Sequence, residues 1–423
     1  MDVLIIGGGG REHAIALTVK KNVTVQNIYI APGNGGTSSV GVNVDIKEDN
    51  IDSLLKFALE NNIDLTIVGP EYPLSLGIVD IFEKHNLNIF GPSKQASKIE
   101  SSKSFSKDLM SRHNVDTAKS AKFEDAEKAH EYILTQDYPL VVKADGLAAG
   151  KGVYICENFS EASTAVNDLL VNQIFGSSGQ TIIVEEFLDG WEVSVFTFTD
   201  GTTFSNIVGA CDHKRIGDGN TGPNTGGMGA YSPPRLWTTE LIEKITGNVI
   251  APIVEGMRDE GNPYTGVLFV GLMITKSGPK VLEFNCRLGD PETQVILPLL
   301  ETDLVDIIQS CIDGNLETRN VLWQDKAAAC VVMASGGYPG QYETGFIIKG
   351  LKDIEPSAEI YHAGTKINTI GQTVTDGGRV LAVSALANSV EEARDVVYEN
   401  INKIEFENSY RRKDIGYIER QES

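Results

Sequence analysis

Over residues 2 to 100, short apolar runs alternate with stretches whose apolar residues recur every three to four positions. DVLII, VQNIYI, LTIVG and LNIFG are the runs. REHAIALTVKK, IDSLLKFALENN and the stretch from Leu76 to His85 carry the helical period. Strands that lack strict alternation and are separated by helices predict a parallel sheet covered on both faces. From about 101 to 120 a polar helix, SSKSFSKDLMSRHN, leads away from that unit. A mixed segment to about 188 predicts helices near 124–135 and 160–171 around the strands PLVVKADG, GVYIC and TIIVEEFL. Residues 191 to 325 carry longer strands (WEVSVFTFT, GVLFVGLMIT, KVLEFNC), a glycine-rich loop and helices near 238–258 and 291–313. The remainder, from AAACVVMASGGYPG, has glycine turns, short strands and a helical pattern near 389–403.

A chain of 423 residues exceeds one core and divides into several domains. Its formal charge of -22, from 36 basic and 58 acidic side chains, argues against wrapping a nucleic acid. An anionic small ligand stays possible, because a local nest of N–H groups or a few placed cations suffices. The cysteines, at 156, 211, 286, 311 and 330, show no C-x-x-C spacing, which argues against a zinc site or a disulfide scaffold. No apolar run approaches the length of a membrane helix, and the first residues read as a strand instead of a signal. The expected compartment is the reducing cytoplasm.

Several glycine-rich turns follow strands. IIGGGGREHA has the form strand, turn, helix, which aims N–H groups at a possible phosphate. The dinucleotide fingerprint fails: counted from Gly7 the third glycine position holds Glu12, and from Gly8 it holds His13. A tight turn without a ligand is the alternative. PGNGGT and GPEYPL end strands on the same sheet edge, and three such loops together favour a ligand site. KADGLAAGKG departs from the Walker pattern, with three residues instead of four between Gly146 and Gly150 and with Gly152 where Ser or Thr should stand. Lys143 there either meets phosphate oxygens or lies in solvent beside an ordinary hairpin. GDGNTGPNTGGMGAY is either a disordered connection or a lid that orders over a ligand.

In KVLEFNCRLGDPETQ a period of two sends Val281, Glu283, Asn285 and Arg287 to one face and Leu282, Phe284 and Cys286 to the other. A carboxylate and an amide oxygen about 7 Å apart along a strand can share a hard cation such as magnesium. Arg287 adds a fork for a carboxylate or phosphate. The alternative is an edge strand with a surface ion pair.

Lys103, Lys143 with its glycine turn, VEEFLDGWE and LEFN together resemble the ATP-grasp enzymes. Adding GGGGREHA, APGNGG, GPE, DHKR, TGGMGAYSP and NCRLGDPETQ, the chain resembles one family of them over essentially its whole length, the glycinamide ribonucleotide synthetases of purine biosynthesis. The resemblance implies an α/β and α+β multidomain protein: a Rossmann-like parallel sheet over 1–100, a connecting helix over 101–120, a small mobile lobe over 121–188, a central ATP-grasp domain over 189–325 and a β-rich C-terminal domain over 326–423. It implies ATP between two lobes, with the adenine hinge at Glu185, Glu186, Phe187 and Leu188 and the ribose at Glu192. Lys103, Lys143 and Gly150 would hold the phosphates, and Glu283 and Asn285 the magnesium or manganese. Gly8, Gly9, Gly10, Asn34 and Glu71 would receive phosphoribosylamine. Asp212, Lys214, Arg287 and Asp290 would line the glycine and acyl-phosphate site, with Lys214, Arg287 and Asp290 catalytic. A monomer or weak homodimer acting on glycine, phosphoribosylamine and ATP is expected, with no nucleic acid and no membrane. One departure stands out: where many ATP-grasp enzymes place a further acidic metal ligand, this chain has FVGLMIT, and neither Leu272 nor Met273 binds magnesium.

Overall fold

The apolar runs of the first hundred residues form a five-stranded parallel sheet in the computed structural model, which describes residues 1–148 and 151–417. The strands lie in the order Val42–Asn43, Asn27–Pro32, Asp2–Gly7, Leu65–Val68, Ile89–Phe90. Val3, Leu4, Ile5 and Ile6 are all fully buried, which explains their lack of alternation: both sheet faces are covered. Asn27–Pro32 and Leu65–Val68 flank Asp2–Gly7 on opposite sides, so the strand order reverses there. The loops after Gly7, Pro32 and Val68 therefore open at one sheet edge, where a crevice forms. The stretch from Leu76 to His85 forms the helix Ile78–Lys84, capped at His85, and a second short helix precedes it. Gly77, at φ 92°, separates Glu71–Leu76 from Ile78–Lys84, because that left-handed backbone cannot continue a helical turn.

Helix Lys103–Arg112 leads to a four-stranded antiparallel sheet, ordered Ser120–Phe123, Ile182–Glu186, Leu140–Ala144, Val153–Cys156. Helices Ala126–Ile133 and Phe159–Val166 close it, and Ile133, Leu140, Val142, Val166 and Ile182 form a separate small core.

The third sheet has eight strands, ordered Gly278–Asn285, Thr265–Thr275, Trp191–Asp200, Val208–Asp212, Gly229–Ser232, Ala327–Ala334, Arg379–Ala387, Ala358–His362. Every neighbouring pair is antiparallel. Gly229–Ser232 bonds to Ala327–Ala334, so the sheet runs without interruption past residue 325.

The glycine-rich stretch from 217 to 231 is neither a disordered connection nor a free lid. Arg215–Gly217 and Thr221–Asn224 pair as a hairpin, and Gly229–Ser232 is an internal sheet strand. The hairpin is held by the C-terminal tail. Arg412, fully buried, donates to the Arg215 carbonyl and to Asn220 Oδ1, both at 3.0 Å, and pairs with Asp414 at 2.6 Å. Asp414 in turn accepts the Gly219 N–H at 2.8 Å. The expected helix over 291–313 is interrupted at Pro298, and a new helix, Leu304–Ile312, starts where Asp303 accepts the Val305 N–H at 2.8 Å. Among the described residues no helix is long and apolar enough to cross a membrane.

Candidate active site

A cavity of about 540 Å³ lies where the four-stranded sheet, the first strands of the eight-stranded sheet and the carboxyl-end loops of the parallel sheet meet. Its upper wall is cationic. Lys143, at the end of Leu140–Ala144, is 6% exposed, so it does not lie in solvent. Its ammonium is 2.7 Å from Glu185 and donates to the Leu282 carbonyl at 3.4 Å. Lys107 meets the other oxygen of the same carboxylate at 2.8 Å. Burial works against the Glu185 charge, yet Lys143 and Lys107 outweigh it and hold its carboxyl below the usual range. Lys103 completes the wall: its backbone N–H bonds to the Asp145 carbonyl at 3.1 Å, and its ammonium donates to the Gly146 carbonyl at 3.4 Å. Burial lowers the Lys103 pKa, against the pull of Glu283. Lys107 was not singled out from sequence, although it stands four residues after Lys103 and shares its helix face.

The hinge segment divides by role. Glu185 spends its side chain on the two lysines, and Glu186 accepts the Lys119 N–H at 3.0 Å and Lys280 at 3.3 Å. Strand pairing ends at Glu186, so Phe187 and Leu188 border the cavity outside the ladder. Gly150 lies outside the described residues.

The cavity floor is one face of the eight-stranded sheet, and a β-bulge sets what it displays. Gly271 pairs with Glu283 and Leu272 with Val281, leaving Leu282 as the extra residue. This corrects the period-two expectation: Val281 joins Phe284 and Cys286 in the core, while Leu282 borders the cavity with Glu283, Asn285 and Arg287. The Glu283 carboxylate has no hydrogen bond or ion pair among the described residues. Burial opposes its charge, but Lys214, Lys143, Lys103 and Arg287 prevail and keep its pKa low. Asn285 is 8% exposed; its Oδ1 accepts from Arg287 at 3.1 Å, and its Nδ2 has no partner.

Arg287 is not a free fork. It donates to Glu71 and to Glu100, both at 3.0 Å. Burial would lower its pKa, and Glu100 and Glu71 raise it further than burial takes it down. Burial likewise works against the Glu71 charge, and Arg287 with Arg11 brings its pKa to about 2. Glu100 also accepts the Cys286 N–H at 2.7 Å, which fixes the strand end. Lys214 is 2.9 Å from Glu192 and 4.0 Å from Asp212. Glu292, 4% exposed, borders the same space and accepts from Ser194 Oγ at 3.3 Å. Neither Glu100 nor Glu292 was marked from sequence; Glu292 lies within the quoted DPETQ, but past the strand no period assigns it a face.

At the far end Gly8, Gly9 and Glu71 border the cavity, and Gly10 does not. The Gly9 N–H donates to Glu12 Oε2 at 2.6 Å, so the residue that breaks the dinucleotide fingerprint fills the turn with its own carboxylate. A Cβ on Gly69 would come within 2.0 Å of that carboxylate, which is why the next loop also begins with glycine. Asn34 lies behind the Gly8–Gly9 turn. Its amide donates to the Gly8 and His362 carbonyls at 3.0 and 2.8 Å, and its oxygen accepts the Gly36 and Thr37 N–H groups. It is 7% exposed and does not itself border the cavity, but it bonds to Gly8, which does, and joins the first sheet to the C-terminal region. Asp290 sits at the start of helix Gly10–Val19, 3.4 Å from Arg379 and 2.9 Å from Gln294 Nε2. Arg379, which no motif announced, also donates to the Gly226 carbonyl at 2.6 Å and so ties Asp290 to the glycine-rich segment.

This arrangement pairs a cationic wall with a carboxylate and amide floor, an arrangement suited to phosphoryl transfer. Residues 1–100, 101–293 and 328–418 match the family models described as the N domain, the ATP-grasp (A) domain and the C domain of phosphoribosylglycinamide synthetase. A phosphoribosylamine–glycine ligase from Vibrio vulnificus is 49% identical over 421 residues, covering 99% of this chain and 98% of the relative. One from Caldanaerobacter subterraneus is 47% identical over 416 residues, covering 98% and 99%. The crystal structure of the Thermotoga maritima phosphoribosylamine–glycine ligase superposes with a TM-score of 0.86 at 33% identity, over 98% of this chain and 100% of that one. A biotin carboxylase domain from Hydrogenobacter thermophilus shares the fold at TM-score 0.74 and 15% identity, over 97% and 91% of the two chains. The chain belongs to the phosphoribosylglycinamide synthetase family.

Proposed function

We propose that this protein joins glycine to 5-phospho-β-D-ribosylamine at the expense of ATP, through glycyl phosphate, giving glycinamide ribonucleotide, ADP and phosphate. The observation that carries it is the meeting, in one cavity, of the Lys103 and Lys143 wall with the Glu283 and Asn285 floor. Attack of the glycine carboxylate on the γ-phosphorus breaks its bond to ADP. The ribosylamine nitrogen then attacks the acyl carbon, and phosphate leaves. In this reading Lys103 and Lys143 neutralise the ATP phosphates, Phe187 and Leu188 face the adenine, and Glu192 faces the ribose. Gly8, Gly9 and Glu71 face the ribosylamine, and Lys214 and Asp212 the acyl group. Arg287 and Asp290, committed to Glu71, Glu100 and Arg379, hold the pocket's shape.

The donor set at Glu283 and Asn285 fits a hard divalent cation. An unpaired, ionised carboxylate stands two residues from an amide oxygen, and both are oxygen ligands of the type magnesium or manganese takes. No cluster of three or more His, Cys, Asp or Glu side chains among the described residues is placed to hold a metal, so a cation here would complete its shell with phosphate and water oxygens. When bound it supplies charge neutralisation on the transferring phosphoryl group. Enclosure matters as well, because water hydrolyses an acyl phosphate; the reading assigns closure to the four-stranded lobe, whose core is separate from the others.

The test is ADP release by the purified chain with ATP, magnesium, glycine and phosphoribosylamine. The reading expects release that depends on glycine, with formate or bicarbonate failing to replace it. No ADP with the full set sinks it.

A further inference from the structure

Lys103, Lys107 and Lys143 all border the upper wall of the cavity, and their hydrogen bonds set one of them apart. An ammonium carries three N–H donors. Lys107 spends all three on the protein: on Glu185 at 2.8 Å, on Thr117 Oγ1 at 2.8 Å and on the Ala118 carbonyl at 3.0 Å. Among the described residues Lys143 has two partners, Glu185 at 2.7 Å and the Leu282 carbonyl at 3.4 Å. Lys103 has one for its ammonium, the Gly146 carbonyl at 3.4 Å. Lys103 and Lys143 therefore keep donors for a ligand, whereas Lys107 keeps none.

What Lys107 does instead follows from where its partners lie. Thr117 and Ala118 lie between helix Lys103–Arg112 and the first strand of the four-stranded lobe, Ser120–Phe123. That entry is pinned to the edge strand of the eight-stranded sheet. Thr117 Oγ1 donates to the Val281 carbonyl at 2.6 Å, and the Val281 N–H donates to the Asp116 carbonyl at 2.8 Å. Leu282, the next residue and the extra one of the bulge, supplies the carbonyl that Lys143 meets. The two lysines are thus referenced to consecutive carbonyls of one strand, Lys107 through Thr117 and Lys143 directly, and they share one carboxylate.

The charges agree with the geometry. The side chains of Lys107, Lys143 and Glu185 are 11%, 8% and 3% exposed, so solvent screens them little. Lys143 paired with Glu185 alone would present a neutral couple to an anion. With Lys107 on the other carboxylate oxygen, two ammonium groups face one carboxylate, and the cluster keeps a net positive charge on its cavity side. Resting on the ligase reading above, in which Lys143 meets the ATP phosphates, we infer that Lys107 is a positioning residue: it occupies one oxygen of Glu185, leaves Lys143 its place over the bulge and its charge for phosphate, and does not touch the nucleotide itself.

The experiment uses the full chain and measures the Kd of ATP with magnesium, and of adenosine, by titration calorimetry. Lys107→Met is expected to raise the ATP Kd about tenfold, the worth of one charge-assisted contact, with the adenosine Kd changed less than about twofold. The decisive readout is a double-mutant cycle. In a Lys143→Met background the same substitution is expected to change the ATP Kd less than about twofold, because the residue through which Lys107 acts is gone. An unchanged ATP Kd in Lys107→Met overturns the inference. Losses that multiply in the double variant overturn it too, since they mark Lys107 as an independent phosphate contact. ATP and adenosine weakened in parallel mark a general structural role, with the same consequence. Should Lys107→Met not fold, Lys107→Gln, which keeps donors for Thr117 and Ala118 but no charge for Glu185, is read by the same outcomes. Wild-type protein that binds no ATP strikes the ligase reading instead.

Discussion

At the scale of single residues, the site works by committing its charges to one another. Glu185 holds Lys143 and Lys107, Glu71 and Glu100 hold Arg287, and Glu192 holds Lys214. Each cation is thereby fixed before a substrate enters, which lowers the reorganisation needed at the reacting phosphoryl group. Glu185→Gln should therefore raise the ATP KM about tenfold without touching adenine or ribose, because a neutral partner no longer orders both lysines. ATP titration of the variant checks it, and an unchanged KM would assign the lysines' order to other contacts. Glu292 gives a pH prediction. Its folded pKa, about 7, lies above the ordinary carboxylate value, so the folded state binds the extra proton. Stability of the ligand-free protein should accordingly fall as pH rises from about 4.5 through about 7 and level off above that, by on the order of 3 kcal/mol from this group. Urea midpoints for wild type and Glu292→Gln across that range measure it; parallel curves would contradict it. Little of this was legible in the chain. Lys143 stood out because it ends an apolar strand beside a glycine turn, and Glu283 and Asn285 because a period of two put them on one face; Glu292 lies past that strand, and Arg379 opens the distant strand Arg379–Ala387.

Elements account for the next level. The apolar runs of the first sheet announced themselves because Leu4 and Ile6 bury on one face and Val3 and Ile5 on the other. The bulge at Leu282 left no such trace: only the pairing of Gly271 with Glu283 across two strands reveals which residue is extra. The glycine-rich segment misled for a related reason. Its order comes from Arg412, nearly two hundred positions later, and local composition cannot report a partner at that separation. Arg412→Met should consequently cost about 3 kcal/mol, since it strands Asp414 and frees the Arg215–Asn224 hairpin. Hydrogen exchange across residues 215–224 should rise while the parallel sheet keeps its protection. Unchanged protection of the hairpin would show that its own pairing suffices.

For the whole molecule the governing feature is continuity. The eight-stranded sheet carries the cavity floor at one end and the C-terminal strands at the other, and Asn34 bonds the first sheet's loops to His362 at its far edge. The four-stranded lobe shares no sheet with the rest and draws its core from its own residues alone, which makes it the part able to move against the rest. Asn34→Ala should lower stability by about 2–3 kcal/mol, since three buried backbone groups and one part-buried one lose a partner, while the glycine and ATP KM values stay within about twofold. A raised phosphoribosylamine KM at unchanged stability would instead place Asn34 at that substrate. The first parallel sheet was legible because its strands are uninterrupted apolar runs; the eight-stranded sheet was not, because pairing between strands a hundred residues apart leaves no local mark.

The proposed ligation activates glycine as an acyl phosphate in this cavity. It is tested most directly by running the complete reaction with glycine carrying heavy oxygen in its carboxylate and analysing the released phosphate by mass spectrometry. One labelled oxygen is expected in the phosphate formed at each turnover, because the bridging oxygen leaves with phosphorus when the amine attacks. Phosphate without label, formed alongside glycinamide ribonucleotide, would contradict it.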